Sequence, residues 1–244
     1  MTQDKMYIWT EDTKSGYSFW LNFFNRLVPE AIVQSKKNNS ELVKAVSSLL
    51  QNDTNKYIII MDQAFDNPQV IRERKRLMEA IRERNNVYII NIISFEYILL
   101  QFDLLTDWVF AEDDELFTKR EHLLNVRSRL CNMLNDSNCA GYKDDECISE
   151  YINSLKVHNV EQLCAKLLFD ITRNTGFEVS KKAIGPCWIN NCCEWQERSA
   201  DDICGLDNIR ISSKEKMHQI FIDSVDLVNG FQAAGIGVKS DNNL

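Results

Sequence analysis

The sequence predicts an α/β protein: a four-stranded parallel sheet, followed by a helical region and a Cys-rich C-terminal segment. Three observations lead there. From Lys5 to Ile93, short β-branched runs alternate with amphipathic stretches, the pattern of successive βα units. The run KYIIIM at 56–61 is apolar at every position after its lysine, as a strand covered on both faces must be. Only 8 Gly and 3 Pro occur in 244 residues, too few turn formers for an all-β fold.

Each element has its own signal. Residues 5–10, KMYIWT, form a first strand that stops at Glu11-Asp12. Residues 16–27 place Phe19, Trp20, Phe23, Phe24 and Leu27 on one helical face. Residues 31–33 are a short second strand. Asn38-Asn39-Ser40-Glu41 is a capping signal, and it opens a helix with Leu42, Val43, Val46, Leu49 and Leu50 on one side. The third strand, 56–61, ends in Asp62. Asp66-Asn67-Pro68 starts a third helix, with Val70, Ile71, Leu77, Met78 and Ile81 as its buried stripe. Residues 87–93 are the fourth strand. Residues 95–135 and 145–175 are expected to be mostly helical around a polar break at 135–145, and a last helix is expected near 213–229. The expected divisions are 1–103 for the α/β domain, 104–180 for the helical region and 181–244 for the Cys-rich segment.

Composition narrows the function classes. With 44% hydrophobic residues the chain can bury a substantial core. A net charge of −8 gives no overall attraction for nucleic acid or an anionic membrane, so any such contact needs a local basic patch. The start MTQDKMYIWTED does not read as a signal peptide. Acids interrupt the most apolar stretch, 87–110, so no membrane span is expected. A cytoplasmic chain follows, with its eight Cys as thiols or metal ligands rather than disulfides.

The acids carry the chemistry. Ligands bind at the carboxyl ends of strands in open parallel sheets, and Glu11, Asp12 and Asp62 fall at two such ends, with Asp66 one loop further on. Carboxylates gathered there repel one another, and a Mg²⁺ or Mn²⁺ ion removes that cost. Glu96 follows the fourth strand and can approach the same edge. Lys14 and Ser15 precede the first helix, where phosphate can be held.

The segments WTEDTKSGYSFW, YIIIMDQAFDN and IISFEYILLQF resemble the TOPRIM domain, in particular the TOPRIM-like nucleases related to RloB and OLD proteins of phage-defence and mobile-element settings. The resemblance covers about residues 5–102. It implies a Rossmann-like sheet, Glu11 in acid/base chemistry, and Asp62 with Asp66 holding Mg²⁺ or Mn²⁺. The spacing here is Asp62-x-x-x-Asp66 rather than Asp-x-Asp, and Asp12 stands where a Gly commonly follows the family Glu. The expectation is a metal-dependent phosphodiesterase, a nuclease, with two ions on Glu11, Asp62 and Asp66. A catalytically inactive TOPRIM-like module that binds protein or nucleic acid stays open. So does a phospho-receiver-like switch, although the Lys-Pro and fifth strand it would need are missing.

The remaining candidates are weaker signals. Arg72 and Arg76, on the Arg-rich third helix, are candidates for a nucleic-acid stripe among interleaved glutamates that favour a solvated face. Cys187, Cys192, Cys193 and Cys204 can form a zinc staple, with buried thiols as the alternative. Cys131 and Cys164 read as helix core. His122, His158 and His218 show no ligand or triad spacing. Partners would be nucleic acid or another protein, with homo-oligomerisation open and no membrane.

Overall fold

The computed structural model describes residues 4–110, 113–135, 139–191 and 211–238. Four strands, β1 (Met6–Thr10), β2 (Ala31–Ser35), β3 (Lys56–Asp62) and β4 (Val87–Ile92), pair in parallel in the order β2-β1-β3-β4. β3 is central, and every residue after Lys56 is buried, so both faces of the sheet are covered. The crossovers are α1 (Lys14–Leu27), α2 (Asn39–Ser47) and α3 (Pro68–Ile81). The chain leaves β1 towards β2 but leaves β3 towards β4. The strand order therefore reverses between β1 and β3, and the diverging loops open a crevice at their carboxyl ends. Right-handed crossovers put α1 on one face and α2 and α3 on the other. The packing agrees, because α2 lies against α3 while α1 lies against a helix from the C-terminal part.

Capping explains where most helices begin. Asn38 accepts from Glu41 N–H at the start of α2, and Asn67 accepts from Gln69 N–H before Pro68 of α3. Ser94 does the same for α4 (Phe95–Gln101) through Tyr97 N–H. The helical layer continues with α5 (Leu105–Phe110), α6 (Asp114–Asn135), a 3₁₀ segment Cys139–Asp144, α7 (Glu146–Asn153) and α8 (Val160–Thr172), which packs on α4. A short α9 (Pro186–Ile189) precedes α10 (Ser213–Asp223), which packs on α1, and α11 (Val225–Ala233), which packs on β4. The α11–β4 approach needs a glycine, since a Cβ on Gly230 would come within 2.9 Å of Ile90. Residues from all three expected segments share one apolar cluster.

Several expectations are corrected. α2 ends at Ser47, so Leu50 lies beyond it, 70% exposed. On α3 the buried face is Val70, Glu73 and Leu77, while Ile71 and Met78 are exposed. Glu73 faces inward because Ser40 of the neighbouring α2 donates to it at 2.9 Å and Arg76 pairs with it at 3.2 Å. The single helix expected near 213–229 is two helices, broken where Ser224 caps α11 through Leu227 N–H. In the C-terminal part, Lys216 is fully buried. Its ammonium donates to the carbonyls of Cys187 at 2.6 Å and Asn190 at 2.7 Å, fastening α9. Among the described residues, no helix is long and apolar enough to cross a membrane.

Candidate functional site

The crevice between β1 and β3 is an open cleft of about 910 Å³. Its floor comes from strand ends. β1 and β3 run in register from Met6↔Lys56 to Thr10↔Ile60, so the residues that follow meet at the edge. There the Asp62 N–H donates to Glu11 Oε1 at 3.3 Å, joining positions 51 apart in sequence. Asp12 accepts from Trp20 Nε1 at 2.8 Å and Thr10 Oγ1 at 2.9 Å. Its carboxylate lies so close over α1 that a Cβ on Gly16 would sit 2.4 Å from Oδ1. Glu96 enters from the first turn of α4. Glu161 enters from the first turn of α8, on the far wall.

Five carboxylates thus face one cleft, and their electrostatics show the strain. Burial, then the Asp12 and Glu161 charges, pushes Glu11 from its ordinary 4.5 to about 8, opposed by the Asp62 N–H and the Asn39 side chain. Burial and then Asp12 push Glu96 to about 8 as well, opposed by its own N–H and by Ser94. Asp62 is raised well above its ordinary value by burial and then by Asp12, Glu11, Glu161 and Glu96. Burial also raises Asp12, against the Trp20 and Thr10 hydrogen bonds, and raises Glu161. Asp62 is only 5% exposed, and its Oδ1 is enclosed without a hydrogen-bond partner among the described residues. Asn39 Oδ1, beside Glu11, is enclosed in the same way. Buried acceptors left unpaired are costly unless a ligand meets them.

The rim has the opposite sign. Lys14, Lys37, Lys156 and Lys181 line it, together with Lys166, which pairs with Asp170. Lys14 (φ 50°) and Lys37 (φ 74°) are two of the three non-glycine residues in the left-handed region among the described residues. That conformation costs of order 1–3 kcal/mol and collects at functional sites. Helices α1, α2 and α8 also begin at this cleft, each adding partial positive charge.

Of the sequence candidates, Glu11, Asp12, Lys14, Ser15, Asp62 and Glu96 line the cleft. Asp66 does not. Its Oδ1 accepts from Val160 N–H at 3.1 Å, and its Oδ2 accepts from Tyr142 OH at 2.7 Å and lies 3.2 Å from Lys143 Nζ. With both oxygens committed to protein donors, Asp66 is a tether rather than a ligand of the floor. Arg72 and Arg76 are exposed on α3 away from the cleft, Arg76 paired with the buried Glu73. Cys187 is buried in α9, with its thiol against Gly176. Cys192, Cys193 and Cys204 lie outside the described residues. Sequence reasoning missed Glu161. The capping pair Asn159 and Gln162, 2.9 Å apart from Oδ1 to N, marks a helix start there, but no local signal lays that start across the sheet edge.

The donors fit a hard cation in kind, because they are carboxylate oxygens and one, Asp62 Oδ1, is buried without a hydrogen-bond partner among the described residues. Among the described residues, no three His, Cys, Asp or Glu side chains already converge to enclose an ion. Fold and site together define an α/β protein with an acid-floored, lysine-rimmed cleft at the switch point of a parallel sheet. No family model, curated protein or solved structure matches the chain.

Proposed function

We propose that the cleft is the active site of a divalent-cation-dependent phosphodiesterase, and specifically of a nuclease. The observation that carries this reading is the enclosed, unpartnered Asp62 Oδ1, set among four other carboxylates beneath a lysine rim. Acids alone would call for a cation. Lysines and helix N-termini above them call for an anion, and a phosphate bound with its metal supplies both. Asp62 and Glu11 would hold Mg²⁺ or Mn²⁺, with Glu96 and Asp12 completing the charge of the floor. When bound, such an ion polarises a phosphate oxygen and acidifies a water. Glu11 would orient or deprotonate that water. Lys14 and Lys37 hold the phosphate from one bank, and Lys156 and Lys181 from the other. The phage-defence setting and a cytoplasmic location belong to the same proposal and rest on the resemblance of residues 5–102 and on composition.

The test is cleavage of single- and double-stranded DNA and RNA with Mg²⁺ or Mn²⁺, with Asp62→Ala in parallel. Metal-dependent cleavage lost in Asp62→Ala supports the reading, and cleavage unchanged in that variant removes it. The second reading, a TOPRIM-like module that binds without catalysis, is favoured by the absence of a preassembled ligand set among the described residues. Calorimetric titration separates the two: no heat with either ion leaves only the binding module.

A further inference from the structure

We infer that Glu161, carried by the helical layer, is a ligand of the cation proposed above, and that Asp66 is the positioning residue that holds it over the floor. The inference rests on the divalent-cation reading of the cleft and adds to it a carboxylate from outside the sheet.

Glu161 has no ion pair or side-chain hydrogen bond among the described residues. Lys181 is the cation whose field reaches it, while its own charge bears on Glu11, Asp62 and Glu96 across the cleft. A glutamate left unpaired opposite other acids is a liability in the protein alone. Glutamine would fill the same space without repulsion. The Asp62 Oδ1 across the cleft, enclosed without a hydrogen-bond partner among the described residues, independently supports a ligand at the floor.

The tether explains the placement. Asp66 follows β3 by one loop, so it is fixed relative to Asp62. Through Oδ1 it takes the N–H of Val160, the residue before Glu161 and one of the donors that α8 cannot satisfy internally. Asn159 takes the N–H of Gln162. The first turn of α8 is therefore capped twice, once by its own chain and once by the sheet. Tyr142 OH on Asp66 Oδ2, with the Tyr142 ring edge-on to Phe65 at 6.1 Å, locks the 3₁₀ segment to the same loop. Asp66 acts on Glu161 by holding the backbone of the residue before it, although its charge itself repels the Glu161 carboxylate, so the cation site is complete only when the helical layer is docked.

The experiment is Mn²⁺ titration of the full chain by calorimetry, with melting in EDTA, for the wild type, Glu161→Gln, Asp66→Ala and Tyr142→Phe. Glu161→Gln is expected to weaken Mn²⁺ binding about tenfold or more while the metal-free melting temperature stays level or rises. A merely structural role would not give that pairing. Asp66→Ala is expected to weaken Mn²⁺ binding by about tenfold, within the range of outer-shell changes, with Tyr142→Phe between it and the wild type. A wild type that binds Mn²⁺ beside a Glu161→Gln that binds it equally overturns the ligand role and leaves the cation reading standing. Wild-type affinity in Asp66→Ala, whatever its melting temperature, overturns the positioning role. A wild type that binds no Mn²⁺ overturns the cation reading and this inference with it.

Discussion

The carboxylate cluster should make the metal-free protein less stable as pH rises. Glu11 and Glu96 have an ordinary value of 4.5 and stand at about 8 in the folded chain. Between those values the folded state keeps protons that the unfolded chain has released. The associated stability is full below about 4.5 and is lost as pH climbs through about 8. The interval is about 3.5 pH units, at about 1.4 kcal/mol each, so one isolated carboxylate contributes at most about 5 kcal/mol. Both groups are only half-buried and share their repulsion, so water screens part of this and the two do not add. A realised loss of about 2–4 kcal/mol, at about 2–4 °C per kcal/mol for a chain of this size, lowers the melting temperature by roughly 5–15 °C between about pH 5.5 and pH 8.5. The assay is thermal unfolding in EDTA at constant ionic strength, repeated with millimolar Mg²⁺ or Mn²⁺. The ion should restore most of the loss at the alkaline end, because it binds only the folded state. A metal-free melting temperature that stays flat or rises over this range refutes the picture of five acids crowded into one cleft.

Three further outcomes are expected. Asp62→Asn removes one buried acid from that cluster, so in EDTA near pH 8 its melting temperature should rise by a few degrees; a fall would mean that Asp62 has a structural partner. Gly16→Ala puts a Cβ 2.4 Å from Asp12 Oδ1. Urea unfolding should show a net loss of about 1–3 kcal/mol despite alanine's better helix propensity, and a gain would show that Asp12 moves aside freely. Lys216→Met keeps the side-chain length but strips the carbonyls of Cys187 and Asn190 of their donor. At about 1.5–3 kcal/mol for a hydrogen bond from a charged donor, a loss of about 2–4 kcal/mol is expected in the same assay, and a change below about 0.5 kcal/mol would refute the clamp.

What could be read in advance follows from how local each signal is. β3 announces itself because a strand buried on both faces is apolar at every position, and KYIIIMD can hardly be anything else. The floor acids were legible for the same reason: each follows a recognisable strand, and a parallel sheet brings strand ends to one edge. Asp66 misled because Asp-Asn-Pro reads equally as a cap or as part of a ligand pair. In fact Asn67 caps α3, and Asp66 reaches partners 76 and 94 positions away. Those partners lie in helices whose placement no periodicity encodes. Glu161 was hidden by the same distance. The α3 stripe failed differently. Ile71 and Met78 count as core by chemistry, but Ser40 of the neighbouring α2 gave Glu73 a reason to turn inward, and the helix rotated with it.

The packing of α10 and α11 has a consequence for how the protein is made. α11 lays Phe231 against Phe23 and Phe24 of α1 and fits Gly230 over Ile90 of the edge strand. Without α10 and α11, Phe23 and Phe24 of α1 and one side of β4 lose their cover. A sheet formed before those two helices arrive is therefore adhesive and unfinished. A fragment of residues 1–103 should be a sticky polypeptide that chaperones retain.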